Sequence, residues 1–84
     1  MPYRGVHAAR VIDPSKFKKG SFRRIQIGDA NSGIYAIVGK LEGETTMTLQ
    51  TYRFNSDKFS VAEAKKWLRD NDVKIISFEK AISE

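Results

Sequence analysis

An 84-residue chain with 15 Lys or Arg against 10 Asp or Glu, and therefore a net charge of +5, is long enough for one small domain. Such a domain, spanning residues 1–84, stabilises about a single sheet with one helix on it. The sequence has no Cys, which excludes disulfides, a thiol nucleophile and thiolate metal ligands. It has no apolar run near the roughly 18 residues of a membrane span and no signal-peptide core, so we expect a soluble, cytoplasmic protein without membrane contact.

The first 14 residues are compatible with two structures. Residues 6–12 have the composition of a short strand, but Pro2, Gly5 and the break at Asp13 and Pro14 also fit a mobile N-terminal arm. The sequence leaves both alternatives open. Pro14 can then open one helical turn, with Asp13 as its cap.

The excess positive charge lies entirely in the first half of the chain. Residues 1–42 hold eight Lys or Arg and three Asp or Glu, whereas residues 43–84 hold seven of each. Lys and Arg side chains neutralise phosphates, and Phe17 and Phe22 among them are of the type that stacks on unpaired bases. The alternative is that both rings pack against the sheet and the charges are solvated. The candidate nucleic-acid or anion contacts are Lys16, Lys18, Lys19, Arg23 and Arg24.

Three stretches predict strands joined by short turns. Residues 21–27 alternate, residues 33–41 are apolar on both faces, and residues 45–54 are rich in Thr and aromatics. In the last stretch Met47 and Leu49 are out of phase with Tyr52 and Phe54, and a β-bulge near Gln50 or Thr51 would reconcile them. The short connections predict a three-stranded antiparallel meander.

The strongest local signal is a helix that begins at residue 61. Ser60 and Glu63 have the spacing of a capping box, and the apolar stripe includes Ala64, Trp67 and Leu68. Asn71, which tolerates the left-handed conformation, ends the helix. Residues 73–79 then predict a fourth strand, parallel to the third or beside the first. The fold class is therefore α+β, in the order β-β-β-α-β.

The sequence does not contain a constellation that indicates catalysis. His7 is the only histidine and has no acid nearby to orient it, so a packing or exposed histidine is the expected role. Asp29-x-Asn31-x-Gly33 has the first residues of a calcium loop but lacks the remaining ligands. We therefore predict no catalytic residues, no metal, no cofactor and no small-molecule substrate.

The aromatic residues of the second half suggest a contact surface. Trp67 is expected in the core, because it lies on the apolar stripe of the helix. Tyr52, Phe54 and Phe59 either cover a second, smaller cluster or form an exposed surface, so they are the candidate protein contacts.

Five short motifs follow one another along residues 13–80. They are Asp13-Pro14-x-x-Phe17, Ser21-Phe22-Arg23, the strand from Gly33-Ile34 to Gly39-Lys40-Leu41, Tyr52-Arg53-Phe54, and Phe59-Ser60-Val61-Ala62-Glu63-Ala64-Lys65-Lys66-Trp67-Leu68. The series resembles segments of tailed-bacteriophage proteins encoded near head genes, often beside or fused to prohead proteases and portal proteins. The resemblance implies a module of phage or prophage origin without catalytic residues.

Two functions are consistent with these features. The first is a small non-enzymatic binding module that acts through a protein partner or self-association. The alternative is a nucleic-acid-binding accessory protein that uses the basic segment 16–24.

Overall fold

The computed structural model describes residues 5–28 and 31–81, which form one antiparallel sheet with a single α-helix packed on it. The α+β class is confirmed, but the described residues contain five strands where the sequence predicted four. The sheet order is β2-β3-β4-β1-β5, and every neighbouring pair is antiparallel. The elements are β1 (Val6–Arg10), a 3-10 turn (Pro14–Lys16), β2 (Arg23–Ile27), β3 (Ile34–Lys40), β4 (Met47–Asn55), α1 (Val61–Asp70) and β5 (Ser77–Glu79).

Strand β1 confirms the strand alternative for residues 6–12 and corrects the alternative of a mobile N-terminal arm. Residues 1–4 lie outside the described residues, but Val6–Arg10 pairs along its whole length with β4 and also pairs with β5. Its central residues are buried, and Ala9 has no exposed surface. Alanine is depleted in strands, so Ala8 and Ala9 weaken the strand signal of this stretch, and the sequence left the arm open as an alternative.

Strand β5 corrects the predicted position of the last strand. It is shorter than the predicted stretch 73–79, and it pairs with β1 instead of lying beside the third or first predicted strand. Because β1 is antiparallel to both β4 and β5, β5 still runs parallel to β4 with β1 between them. Val73 and Ile75 pack against the core without joining the sheet.

The β-bulge predicted near Gln50 is present in β4. Ile37 is opposite Thr51 and Val38 is opposite Leu49, so Gln50 has no partner residue across the ladder. The extra residue puts Leu49 on the same face of the sheet as Tyr52. The main-chain oxygen of Gln50 accepts from the N–H groups of residues 11 and 12, at 2.8 and 3.2 Å, where the chain leaves β1.

The core lies between the helix and one face of the sheet. Phe54 is 0% exposed and packs with Ala9, Ile34, Ala64 and Leu68. Trp67, predicted as a core residue, packs edge-on against Tyr52 and Phe54, with ring centroids 5.1 and 5.6 Å apart.

The helix begins as predicted. The main-chain N–H of Glu63 donates to Ser60 Oγ at 3.1 Å, and the N–H of Ser60 donates to Glu63 Oε1 at 3.0 Å. This second hydrogen bond lowers the pKa of the Glu63 carboxyl below its usual range. The capping box therefore supports the ionised side chain.

The end of the helix differs from the prediction in one residue. Asn71 is the cap but has φ −100°, and the left-handed residue is Asp72, with φ 55°. The N–H groups of Asp72 and Val73 donate to the carbonyls of residues 69 and 68, at 3.1 and 2.9 Å. These two bonds are those of a Schellman motif, which turns the chain back toward the sheet.

Candidate binding face

The side of the sheet away from the helix is the candidate binding surface, which we call the open face. Its residues alternate along the strands with those that pack under the helix. Among the described residues, no helix or strand lies over it, and the loop between β1 and β2 covers only one end. The open face includes Ala8, Arg10, Arg24, Gln26, Tyr35, Ile37, Thr51, Arg53 and Glu79.

The covered end of the open face depends on Gly39. A Cβ atom at this position would lie 2.9 Å from the Phe17 ring and 3.1 Å from the Phe22 ring, so glycine allows both rings to lie against β3. The rings also pack on each other, with centroids 5.4 Å apart, and Phe17 is buried. Phe17 and Phe22 therefore follow the packing alternative, and the stacking of bases on Phe17 is excluded.

A groove of about 340 Å³ lies between this loop and the sheet. Ala8, Ile37 and Thr51 of the sheet line this groove. The polar side chains of the bulge form hydrogen bonds within the protein. Thr51 Oγ1 donates to the carbonyl of Ala9 at 2.9 Å, and Gln50 Nε2 donates to the carbonyl of residue 12 at 3.0 Å. The remaining lining residues are Arg10, Pro14, Phe22 and Arg53. Its volume lies at the lower end of the range for ligand pockets, about 300–1,000 Å³.

Arginines dominate the electrostatics of the open face. The Arg24 guanidinium lies 3.9 Å from the centre of the Tyr35 ring, and Tyr35 is opposite Arg53 in the β3–β4 ladder. Arg10 forms an ion pair of 3.1 Å with Glu79, which β5 contributes to the same side of the sheet. The face therefore combines an apolar floor with planar cations.

The predicted basic segment separates into three parts. Lys18, Lys19 and Arg23 line a second groove, of about 550 Å³, together with Lys40. Arg24 belongs to the open face, and Lys16 lies on the 3-10 turn outside this groove. Lys40 was not found from the sequence, since only the pairing of β3 with the loop brings it there: the N–H of Lys18 donates to the Lys40 carbonyl at 2.7 Å.

The candidate protein contacts lie under the helix. Phe54 is fully buried and packs edge-on against Phe59, with centroids 5.3 Å apart, so a partner cannot reach it in the folded domain. Tyr52 and Phe59 are half-buried and pack against the same core. The structure therefore removes Phe54 from the contact surface, because the bulge turns it toward the helix.

His7 has a structural position. Its ring lies 6.0 Å from the Phe78 ring, and Nδ1 accepts from the main-chain N–H of Ala81 at 2.9 Å. Because Nδ1 accepts, Nε2 carries the hydrogen and donates to the Phe59 carbonyl at 3.0 Å. Both ring nitrogens are therefore engaged by main-chain groups.

Residues 5–28 and 31–81 contain no group of three or more His, Cys, Asp or Glu side chains able to hold a metal ion. Asp29, the first residue of the predicted calcium-like turn, lies outside the described residues. The described helix is too short and too polar to cross a bilayer.

Neither family models, nor curated proteins, nor solved structures give a match to this chain. The structure alone therefore describes the protein, as a two-layer α+β domain in which one face of the sheet is left open.

Proposed function

We propose that this chain is a small non-enzymatic binding module of phage or prophage origin that acts by protein–protein contact through its open face. The observation that carries the proposal is the groove beside Ile37, an apolar site on a sheet face that no described helix or strand covers. A buried apolar floor with a polar rim is the usual anatomy of an interface.

The dimensions of the domain agree with this role. Its extents are 37 × 25 × 23 Å, so the sheet presents one broad face. A standard interface buries roughly 800 Å² per partner, which a face of this size can supply. A partner could therefore dock without any change in the fold.

Two further features support the proposal. The resemblance of residues 13–80 to phage proteins encoded near head genes directs the search for a partner to head proteins. Both ring nitrogens of His7 are engaged by main-chain groups, which supports a structural role for this histidine.

The proposal predicts where a partner can be crosslinked. A photoreactive phenylalanine analogue at Ile37 should capture a head protein, whereas the same group at Arg69, on the exposed side of the helix, should not. The captured protein is then purified, and its Kd is measured for the wild type and for Ile37→Ser. We expect the substitution to weaken binding about tenfold, because it removes an apolar anchor.

The control for that measurement is Ile76→Ser, because Ile76 is 62% exposed and is not among the residues that line the groove. Circular dichroism of both variants checks that the fold is retained. Equal crosslinking from positions 37 and 69, or a Kd unaffected by Ile37→Ser, would contradict the proposed function.

A nucleic-acid-binding role is the second candidate, and a different observation favours it. Four basic side chains, Lys18, Lys19, Arg23 and Lys40, line one groove, and none of its described lining residues is a carboxylate. Phosphate contacts of this kind depend steeply on salt.

The matched variants for this candidate are Lys18→Gln/Lys19→Gln and, on the helix, Lys65→Gln/Lys66→Gln. If the groove binds DNA, the first double variant should reduce the slope of log K against log salt by about two, and the second should leave it unchanged. Titration of single- and double-stranded DNA across salt concentrations measures both. An affinity that the first variant does not change would reject this role.

A further inference from the structure

We infer that the side of the sheet on which α1 packs carries a second binding surface, which binds an acidic amphipathic helix of a partner protein. This side lies opposite the open face, so the inference goes beyond the proposed function and does not rest on it. The surface consists of an apolar strip, Ile25, Val38, Met47 and Leu49, and of two cations, Arg23 and Lys40.

Strand β3 fixes the side of the sheet on which the strip lies. Ala36 is opposite Tyr52, whose ring packs against Trp67 of the helix. Side chains alternate along a strand, so Val38 and Lys40, which follow Ala36 by two and four residues, also lie on the helix side. β3 therefore contributes one apolar and one basic side chain to this surface.

The neighbouring strands extend the surface on both sides of β3. In β4, Leu49 and Met47 are opposite these two residues of β3. In β2, Arg23 is opposite Val38, and Ile25 lies on the same side two residues later. Opposite and diagonal neighbours on one face of antiparallel strands are about 5–8 Å apart, so the apolar side chains form one continuous strip.

The apolar strip lies outside the core. Ile25 and Met47 are 43% and 44% exposed, and Val38 and Leu49 are half-buried. None of the four is among the residues that form the core cluster or pack against it. A single apolar residue on a surface needs no explanation, whereas a contiguous patch indicates an interaction site.

The shape of this side of the sheet favours a helix as the occupant. Strand β4 has 9 residues and is about 30 Å long, whereas α1 has 10 residues and is about 15 Å long. Trp67 of α1 packs on Tyr52 and Phe54 in the second half of β4, and the strip uses the first half. Because a helix is about 10 Å across, α1 stands above the sheet and the strip is the floor of a step. A second helix would fill this step and extend the helix layer.

The cations beside the strip favour an acidic helix. Arg23 and Lys40 line the same groove as Met47, and none of the described lining residues of this groove is acidic. The described ion pairs involve Arg10 and Lys66 instead of these two cations. Complementary charge across an interface favours carboxylates at the border of the bound helix and rejects a basic helix.

Two other occupants fit this surface less well. A lipid bilayer presents a flat surface, which would meet α1 before it reached the floor of the step. A two-fold dimer would place the floor of one copy against that of the other and bring like charges together. A partner helix with acidic borders avoids both problems.

The test uses two synthetic peptides of identical composition and about 18 residues, or five helical turns. In the first peptide, leucines lie on one helical face with glutamates at its borders, and in the second the order is scrambled so that no apolar face forms. Trp67 is the only tryptophan of the chain and packs on Tyr52 next to the strip, so its fluorescence reports the binding of tryptophan-free peptides. The full chain should bind the first peptide at least about tenfold more tightly than the second.

Substitutions locate the binding to the strip. Ile25→Ser and Met47→Ser should each weaken binding of the first peptide about five- to tenfold, because each removes an apolar contact. Lys40→Gln should weaken it about threefold and reduce its dependence on salt, and this variant tests the surface even if an apolar variant fails to fold, which circular dichroism identifies. The matched controls are Ile76→Ser and Arg69→Gln, which should leave the affinity unchanged, because Ile76 is 62% exposed outside the strip and Arg69 lines a different groove.

Three results overturn the inference. The first is equal affinity for the two peptides, or no binding of the amphipathic peptide at about 1 mM. The second is a loss with Ile76→Ser or Arg69→Gln equal to that with Ile25→Ser. The third is a change in Trp67 fluorescence that vesicles of anionic lipid or single-stranded DNA cause and the amphipathic peptide does not, since the strip would then serve another ligand.

Failure of this inference can be distinguished from failure of the proposed function. Ile37 lies on the open face, so Ile37→Ser should leave the affinity for the amphipathic peptide unchanged. If the peptide does not bind, while Ile37→Ser still weakens the binding of a crosslinked head protein, the inference fails and the proposed function stands.

Discussion

Phe54→Ala is expected to lower the free energy of unfolding by about 3–5 kcal/mol, the usual cost of removing a buried phenylalanine from a core. Phe54 is 0% exposed, and its ring contacts those of Phe59 and Trp67, with centroids 5.3 and 5.6 Å away. It therefore joins β4 both to the helix and to the loop that leads into it. Alanine would leave a cavity where these elements meet.

The size of this loss matters because the domain is small. A chain of 84 residues is expected to have a total stability of roughly 4–13 kcal/mol, so the variant loses a large fraction of it. Urea unfolding followed by circular dichroism measures the difference. Ile76→Ala is the control, since Ile76 is 62% exposed and should change stability by less than about 0.5 kcal/mol. A loss at Phe54 no larger than at Ile76 would show that this core is wrongly placed.

The parts of the fold that the sequence predicted correctly depend on residues close together in the chain. Ser60 and Glu63 are three residues apart and form the capping box by themselves. The bulge at Gln50 was visible because the apolar positions change phase within one strand. Signals carried by neighbouring residues can be interpreted without knowing how distant parts of the chain pair.

The parts that were missed depend on distant pairing. β1 lies between two other strands only because Tyr52 and Phe78, far along the chain, lie opposite Ala9. Two successive alanines weaken the strand signal of residues 6–12, so the sequence left a strand and an arm open, and without β1 the last strand has no correct neighbour. The left-handed residue is Asp72 and not Asn71, because the Schellman motif requires that conformation at the residue after the cap, whatever its type.

In the candidate site, too, the local features were predicted and those set by distant strand pairing were missed. The positive charge of residues 16–24 was evident, but its separation between the open face and the groove containing Lys40 required the strand register. Arg53 and Ile37 were missed because their face is defined only once the bulge and β1 are in place. Side-chain alternation combined with that register would have found both.

The second large effect is expected at His7, which joins three separated parts of the chain. Its Nε2–H donates to the carbonyl of Phe59 before the helix, and its Nδ1 accepts from the N–H of Ala81 after β5. The ring also stacks at 6.0 Å on Phe78 of β5. His7 therefore connects β1 to both ends of the segment that crosses from β4 to β5.

His7→Ala removes the ring and leaves two main-chain groups without their partners, so we expect a loss of about 2–4 kcal/mol in the free energy of unfolding. His7→Phe is the matched variant, because it retains a ring against Phe78 but cannot form either hydrogen bond. It should recover only the packing part of the loss and remain about 1–3 kcal/mol less stable than wild type. Amide hydrogen exchange gives the local measurement: the N–H of Ala81 should exchange faster in both variants, because each lacks its acceptor. Full stability in His7→Phe, or unchanged exchange at Ala81, would mean that packing alone explains the buried histidine.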